Sequence, residues 1–277
     1  MKRILTAVVL IPLVLALVFL RPPWQWALVV MTGVVAAVAS WEYLGLARAR
    51  GANPPRIAVV LATAALFADY FIWPDQLAVA LGSLCLALLV YCTFTSPTER
   101  MLANATNSVF CLVYTGFTMI AIPALREQSN GASLLVFLLC VVWAGDSVAL
   151  YVGRAFGRHK LAPSISPNKT WEGSVGSIIG SLAVTGGLLG LSEGLARWNS
   201  VVLSYSDEAW YFWLGLAVIV NIAGQVGDLA ESALKRSAGV KDSGSLLPGH
   251  GGILDRIDAL LMAAPALWYA QLIHRSF

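Results

Sequence analysis

The sequence reads as an all-α, polytopic membrane bundle of about nine transmembrane helices, with its N-terminus in the cytoplasm. Composition points there first. Of 277 residues, 58% are hydrophobic and only 12% charged, and a mean hydropathy of +0.75 lies outside the range of soluble domains. Nine mainly apolar runs, each close to the roughly 20 residues a helix needs to cross hydrocarbon, lie at about 4–21, 24–46, 57–73, 76–94, 107–125, 133–153, 174–192, 210–230 and 256–273. Charge placement is the third observation. With nine spans and a cytoplasmic N-terminus, only Arg21, Arg126, Arg197 and Arg275 fall outside, and the other 14 of the 18 basic residues fall inside. That is the asymmetry of the positive-inside rule. The formal charge of +3 is therefore a topology signal, and binding of nucleic acid, which wants a contiguous basic face, is not expected.

The first run follows Met1-Lys2-Arg3, and no small-residue cleavage site precedes Arg21-Pro22-Pro23, so it reads as a retained helix and not a signal peptide. Residues 1–130 form an N-terminal set of helices expected to scaffold the bundle and face lipid. Small residues such as Ala36-Ala37 and Gly82-Ser83 suit close packing there. Little more than Pro74 separates the third and fourth runs. Glu42 and Asp69 are the acids inside apolar runs of this half, and both read as interfacial or helix-paired carboxylates. Cys85, Cys92, Cys111 and Cys140 lie in or beside apolar runs and read as small buried hydrophobes.

Residues 131–277 form the catalytic region, with cytoplasmic loops at 154–173 and 231–255. Asp146 falls within the sixth apolar run. A carboxylate at helix-centre depth costs about 2.5–3.5 kcal/mol on insertion scales, so it faces a polar cavity or a partner. Pairing with Arg154 is one reading, and the polarity of the loop that follows favours a substrate-site role. In that loop, Ser166 is a helix N-cap candidate with Pro167 at the first helical position. Asn168, Lys169 and Thr170 would then lie in the first turn, where free N–H groups and the helix dipole favour a phosphate. Lys-Thr also ends a Walker A motif, but the upstream glycines are missing and a P-loop is rejected. Taken alone, the loop reads equally well as a basic connector.

The eighth helix carries the most informative pattern. Asn221, Gln225, Asp228, Ser232 and Lys235 fall at steps of four, three, four and three, one continuous helical face, and Glu231 widens it. A polar stripe in a membrane helix must look into a cavity or another helix. The stretch from Ser232 to Asp258 then brings Lys235, Arg236, Lys241 and Arg256 together with Asp242, Asp255, Asp258, His250 and the glycines Gly251 and Gly252. Paired carboxylates can hold a divalent cation, cationic side chains can hold phosphate oxygens, and glycines let backbone amides approach an anion. Asp255 and Asp258, at i and i+3, would share one face at the start of the ninth helix. Helix-dipole stabilisation alone would suit acids there. Together with Asp228 at the end of the previous helix, they also have the makings of a Mg2+ site completed by substrate phosphates. His250 between glycines reads as a loop hydrogen-bonder or a catalyst.

Taken together, Ser232-x-Leu-Lys235-Arg236, Lys241-Asp242-x-Gly244 and Leu247-Pro248-x-His250-Gly251-Gly252-Ile253-x-Asp255-Arg256-Ile257-Asp258 resemble the signature of the phosphatidate cytidylyltransferases, the CDP-diacylglycerol synthases. Gly227-Asp228-Leu229-x-Glu231-Ser232 and Ile165-Ser166-Pro167-x-Lys169-Thr170-Trp171-Glu172-Gly173 look like the same family. The likeness is close over about 143–270 and covers the first half only as membrane spans. Asp146-Ser147-Val148-Ala149-Leu150 stands where the family has Asp-Thr-Gly-Ala-Tyr, and Asn168 where Lys is common. These departures put contacts around Asp146 and one phosphate contact in doubt.

The resemblance implies transfer of a cytidylyl group from CTP to phosphatidic acid and a homodimer; the compact, bacterial-type chain points to a bacterial inner membrane, and the charge asymmetry puts the site on its cytoplasmic side. The resemblance also implies Asp228 and Asp255 as ligands of Mg2+, with a second monovalent or divalent cation left open. Asp258 and Glu231 would support that centre. Lys235, Arg236, Lys241 and Arg256 would neutralise phosphate oxygens, and Lys169 would help on the triphosphate. Ser166, Asn168, Thr170, Ser232, Asp242, His250, Gly251 and Gly252 are the remaining substrate-binding candidates, beside Asp146. Two alternatives stand: an ion-coupled transporter, in which intramembrane polar groups line an ion path, and a CTP-dependent lipid alcohol kinase.

Overall fold

Where water is absent, every backbone N–H must find its carbonyl within the segment, and the apolar runs accordingly wind into helices. The computed structural model describes residues 12–20, 24, 26–197, 202–205, 208–246 and 251–275. We label the helices α1 (Trp26–Ala49), α2 (Arg56–Ile72), α3 (Leu77–Thr95, entered through a 3-10 turn at Pro74–Gln76), α4 (Thr98–Arg126), α5 (Gly131–Phe156), α6 (Trp171–Arg197), α7 (Trp210–Ser237), α8 (Leu254–Ile257) and α9 (Leu260–Arg275). Among the described residues, six helices are long and apolar enough to cross a membrane: α1, the 3-10 turn with α3, α4, α5, α6 and α7. Two more of the nine expected runs form shorter helices, 17 residues in α2 and 16 in α9. Half of the run at 4–21 lies outside the described residues.

The chain divides into two compact units, Met1–Pro123 with Leu234–Ile257, and Ala124–Ala233 with Asp258–Phe277. In the first, hydroxyls replace charges as interior glue. Ser40 Oγ lies 2.7 Å from Thr115 Oγ1 and 3.2 Å from Thr63 Oγ1, which ties α1, α2 and α4 together at fully buried positions. Thr115 lies on a π-helical stretch, Leu112–Phe117, inside α4. Such wide turns recur at functional sites.

In the second unit, α5 and α6 approach closely because glycine faces branched side chains. A Cβ at Gly180 would come within 2.6 Å of Val148 Cγ2, and one at Gly176 within 2.8 Å of Val152 Cβ. This is the small-residue packing expected in lipid. The first half of the polar stripe on α7 meets a row of serines on α6. Asn221 Nδ2 donates to Ser177 Oγ and Ser181 Oγ, each at 2.8 Å. Gln225 Nε2 donates to Asn221 Oδ1 at 2.6 Å, and Ser174 Oγ donates to Gln225 Oε1 at 2.5 Å. Here the stripe looks into another helix, and each buried amide finds a partner.

The start of α6 differs from expectation. Ser166–Thr170 is a strand, β2, paired antiparallel with β1 (Lys160–Ala162) in the register Lys160 to Thr170 and Ala162 to Ser166. Ser166 is therefore no helix cap, and Asn168, Lys169 and Thr170 are not in a first helical turn. The prolines explain the shift: Pro163 and Pro167 push the residues before them toward extended conformations. The cap is Thr170, whose Oγ1 accepts the Gly173 N–H at 3.1 Å. Below it, His159 Nδ1 lies 2.7 Å from Glu172 Oε1 and closes the base of the hairpin. Thr170→Val, which removes the acceptor and keeps the shape, should cost about 1 kcal/mol, a thermal midpoint lower by about 2–4 °C in detergent. An unchanged midpoint would remove the cap.

The ninth run also departs from expectation. Asp255 lies in α8, a single turn, while Asp258 sits in the break before α9, its Oδ1 accepting the Ala259 N–H at 2.8 Å. The two carboxylates do not share one helix face, and the boundary between the units falls between them. A side chain that bonds its neighbouring backbone N–H competes with the helix. On α7, a Cβ at Gly227 would come within 2.5 Å of the Asp258 carbonyl, so glycine is needed where the break packs.

Candidate active site

Each unit carries its own polar centre. In the second unit, α5, the β1-β2 hairpin, α6 and α7 enclose a cavity of about 730 Å³, inside the range that holds small-molecule ligands. Arg154, Lys160 and Lys169 line it together with Asp146, Asp228, Asn168, Thr170, Ser174 and Gln225. Lys169 Nζ lies 2.5 Å from Asp228 Oδ2, and Ser232 Oγ donates to Asp228 Oδ1 at 3.4 Å. Asp146 is exposed to this cavity and feels the charges of Asp228 and Lys169. The hairpin thus does what the expected helix start was to do: it carries Asn168 and Lys169 to a cavity wall. Ser166 is not among the lining residues. Thr170 is 5% exposed, and its hydroxyl serves the cap described above.

The first unit holds the signature residues from Lys235 to Ile257. Asp255 is the hub. Its Oδ1 accepts from Lys235 Nζ at 2.6 Å, and its Oδ2 accepts from the Gly252 N–H at 2.7 Å and from the Ser243 N–H and Oγ at 3.0 Å each. The side chains of Asp255 and Lys235 are 5% and 13% exposed. Burial pushes the Asp255 carboxyl up, but the Lys235 hydrogen bond, the Gly252 and Ser243 bonds and the lysine charge together hold it below the usual carboxylate range. Lys241, Asp242, Arg236 and Arg256 are exposed around this hub, and Arg236 Nη1 donates to the Val240 carbonyl at 3.2 Å, closing the turn after α7. Gly251 has φ +77°, a backbone conformation that favours glycine. His250 lies outside the described residues.

Two participants were not expected as such. Ser243 bridges Asp255 to Glu42, donating toward both carboxylates at 3.0 Å. Glu42, read above as an interfacial or helix-paired acid, is 7% exposed and accepts the backbone N–H groups of Ile253 and of Leu254, the first residue of α8. That the sequence did not disclose these contacts has a simple origin. The partners lie some two hundred residues away in sequence, beyond the reach of periodicity. The available signal was an acid inside an apolar run, which is a functional candidate by default. Glu231 is fully buried on α7. Among the described residues, no group of three or more His, Cys, Asp or Glu side chains is assembled around a common point.

The cytidylyltransferase family profile matches residues 1–274 of the chain. The phosphatidate cytidylyltransferase of Haemophilus influenzae is 32% identical over 97% of this chain and 97% of its own length. That of Staphylococcus aureus (strain COL) is 31% identical over 96% of each. That of Brucella melitensis biotype 1 is 46% identical over 160 residues, which cover 57% of this chain and 54% of its own length, so the match spans about half of that relative.

Proposed function

Because the chain belongs to the cytidylyltransferase family, we propose that it transfers the cytidylyl group of CTP to phosphatidic acid, giving CDP-diacylglycerol and pyrophosphate. The observation that carries this reading is the cavity of the second unit, about 730 Å³, whose lining brings Arg154, Lys160 and Lys169 together with Asp146 and Asp228. Such a set of charges suits a triphosphate. In the proposed reaction an oxygen of the lipid phosphate attacks the α phosphorus of CTP, a new P–O bond forms, and the bond to the β phosphate breaks. The nucleophile is already anionic at neutral pH, so no strong general base is required. Catalysis then rests on positioning and charge neutralisation.

Lys169 is proposed to bind the triphosphate, and Lys235, Arg236, Lys241 and Arg256 to neutralise phosphate oxygens. Asp228 and Asp255 are the proposed carboxylate ligands of Mg2+. Their chemistry fits: each offers oxygen donors only, and each already holds a cation, the ammonium of Lys169 at 2.5 Å on one and of Lys235 at 2.6 Å on the other. Bound Mg2+ would supply charge neutralisation and polarisation of a phosphoryl oxygen. Asp258 and Glu231 are proposed to support these ligands. The loops at 154–173 and 231–255 are proposed to face the cytoplasm of a bacterial inner membrane, resting on the 14 of 18 basic residues that this topology places inside. A homodimer is proposed from the family alone.

The test uses CTP labelled at the α or the γ phosphate, with the protein in phosphatidic acid vesicles. The α label is expected in lipid and the γ label in pyrophosphate. Transfer of the γ label to lipid would instead make the protein a kinase.

A further inference from the structure

The acid that holds the signature loop in place comes from outside the signature. Glu42 lies on α1, a 24-residue helix whose other charged residue is Arg48, in its last turn. A carboxylate 7% exposed is costly to bury unless its oxygens are met by donors. Here they are. Oε1 accepts the Ile253 N–H at 3.0 Å, and Oε2 accepts the Leu254 N–H at 2.8 Å and the Ser243 hydroxyl at 3.0 Å.

The loop is also shaped around this group. A Cβ at Gly244 would stand 2.6 Å from Glu42 Oε1, and one at Gly252 would collide with Glu42 Oε2 and the Ser243 hydroxyl. Two glycines of the signature are thus required by an acid that is not part of it. The same Ser243 hydroxyl, and the Gly252 N–H one residue before the amides that Glu42 holds, reach Asp255 Oδ2. Glu42 therefore fixes three groups next to the carboxylate that the reaction is proposed to use.

We infer that Glu42 is a positioning residue for that reaction: it clamps residues 243 and 252–254 so that Asp255 is presented in one orientation. This rests on the cytidylyltransferase reading, in which Asp255 acts on the substrate side. A clamp of this kind acts on kcat more than on KM, because substrates still bind while the group they need is displaced.

The experiment uses the full chain in detergent or vesicles and reads two quantities, turnover and amide hydrogen exchange over 251–256. In the wild-type protein, the Ile253 and Leu254 amides exchange slowly. Glu42→Gln, which turns one acceptor into an NH2 facing a donor, raises their exchange and lowers kcat by about 10–100-fold with KM for CTP little changed. Glu42→Asp keeps both oxygens and retains more turnover than Glu42→Gln. Exchange at 253–254 unchanged by Glu42→Gln, or unchanged kcat, overturns the inference. Should Glu42→Gln fail to fold, the wild-type amides decide: exchange there as fast as in a free loop overturns it. Absence of α-label transfer by the wild-type protein would sink the cytidylyltransferase reading, while the exchange measurement still tests the clamp.

Discussion

Gly252→Ala should lower turnover by about 100-fold, the scale expected when a reacting group is misplaced by about 1 Å. The added Cβ has nowhere to go. It would run into Glu42 Oε2 and Ser243 Oγ, and both oxygens are held, the first by the Leu254 N–H and the second between two carboxylates. Relief requires shifting the Glu42 and Ser243 side chains or the backbone at 252, and both Ser243 Oγ and the Gly252 N–H bond Asp255 Oδ2. A contact that orients Asp255 is lost either way. Gly239→Ala is the matched control. Its φ is +73° with open space around a Cβ, so it adds backbone strain of about 1–2 kcal/mol without touching Asp255. Thermal midpoints and kcat of the two variants separate strain from misplacement: Gly239→Ala loses stability and keeps turnover, and Gly252→Ala loses turnover. Equal turnover in both would mean that the loop around Asp255 tolerates displacement.

How far the sequence discloses such a centre depends on the range of the contacts. The stripe on α7 was legible because helical period alone aligns Asn221, Gln225 and Asp228, and a lipid environment leaves such groups few options. Asp255 stood out because Gly251, Gly252 and Arg256 all lie within four residues of it. The β1-β2 hairpin was not legible, since Lys160–Ala162 and Ser166–Thr170 are too short and too rich in proline to show alternation. What ends the helix at Asp258 is a local contest between its carboxylate and the Ala259 N–H, and period carries no trace of it. Glu42 was hidden most deeply, because every donor that meets it comes from residues 243–254. Its sequence neighbourhood on α1 is that of any apolar helix.

Asp228→Asn should abolish measurable turnover, by about 10²–10³-fold or more, with membrane insertion and thermal midpoint nearly unchanged. The small stability effect follows from exposure. Asp228 and Lys169 side chains are 34% and 26% exposed at a separation of 2.5 Å, and a pair open to solvent contributes little to folding. A large loss of turnover would therefore have to come from the reaction itself. The double variant Asp228→Asn with Lys169→Met separates the two roles. If the ion pair served only to satisfy charge in the cavity, removing both partners would restore what removing one had damaged. If Asp228 acts on the substrate side, the double variant stays as inactive as Asp228→Asn, and Lys169→Met alone shows a raised KM for CTP. The reasoning extends to Asp146, which shares the cavity wall with both residues: with Asp228 neutralised, Lys169 keeps one carboxylate neighbour, so insertion and folding survive the substitution while the chemistry does not.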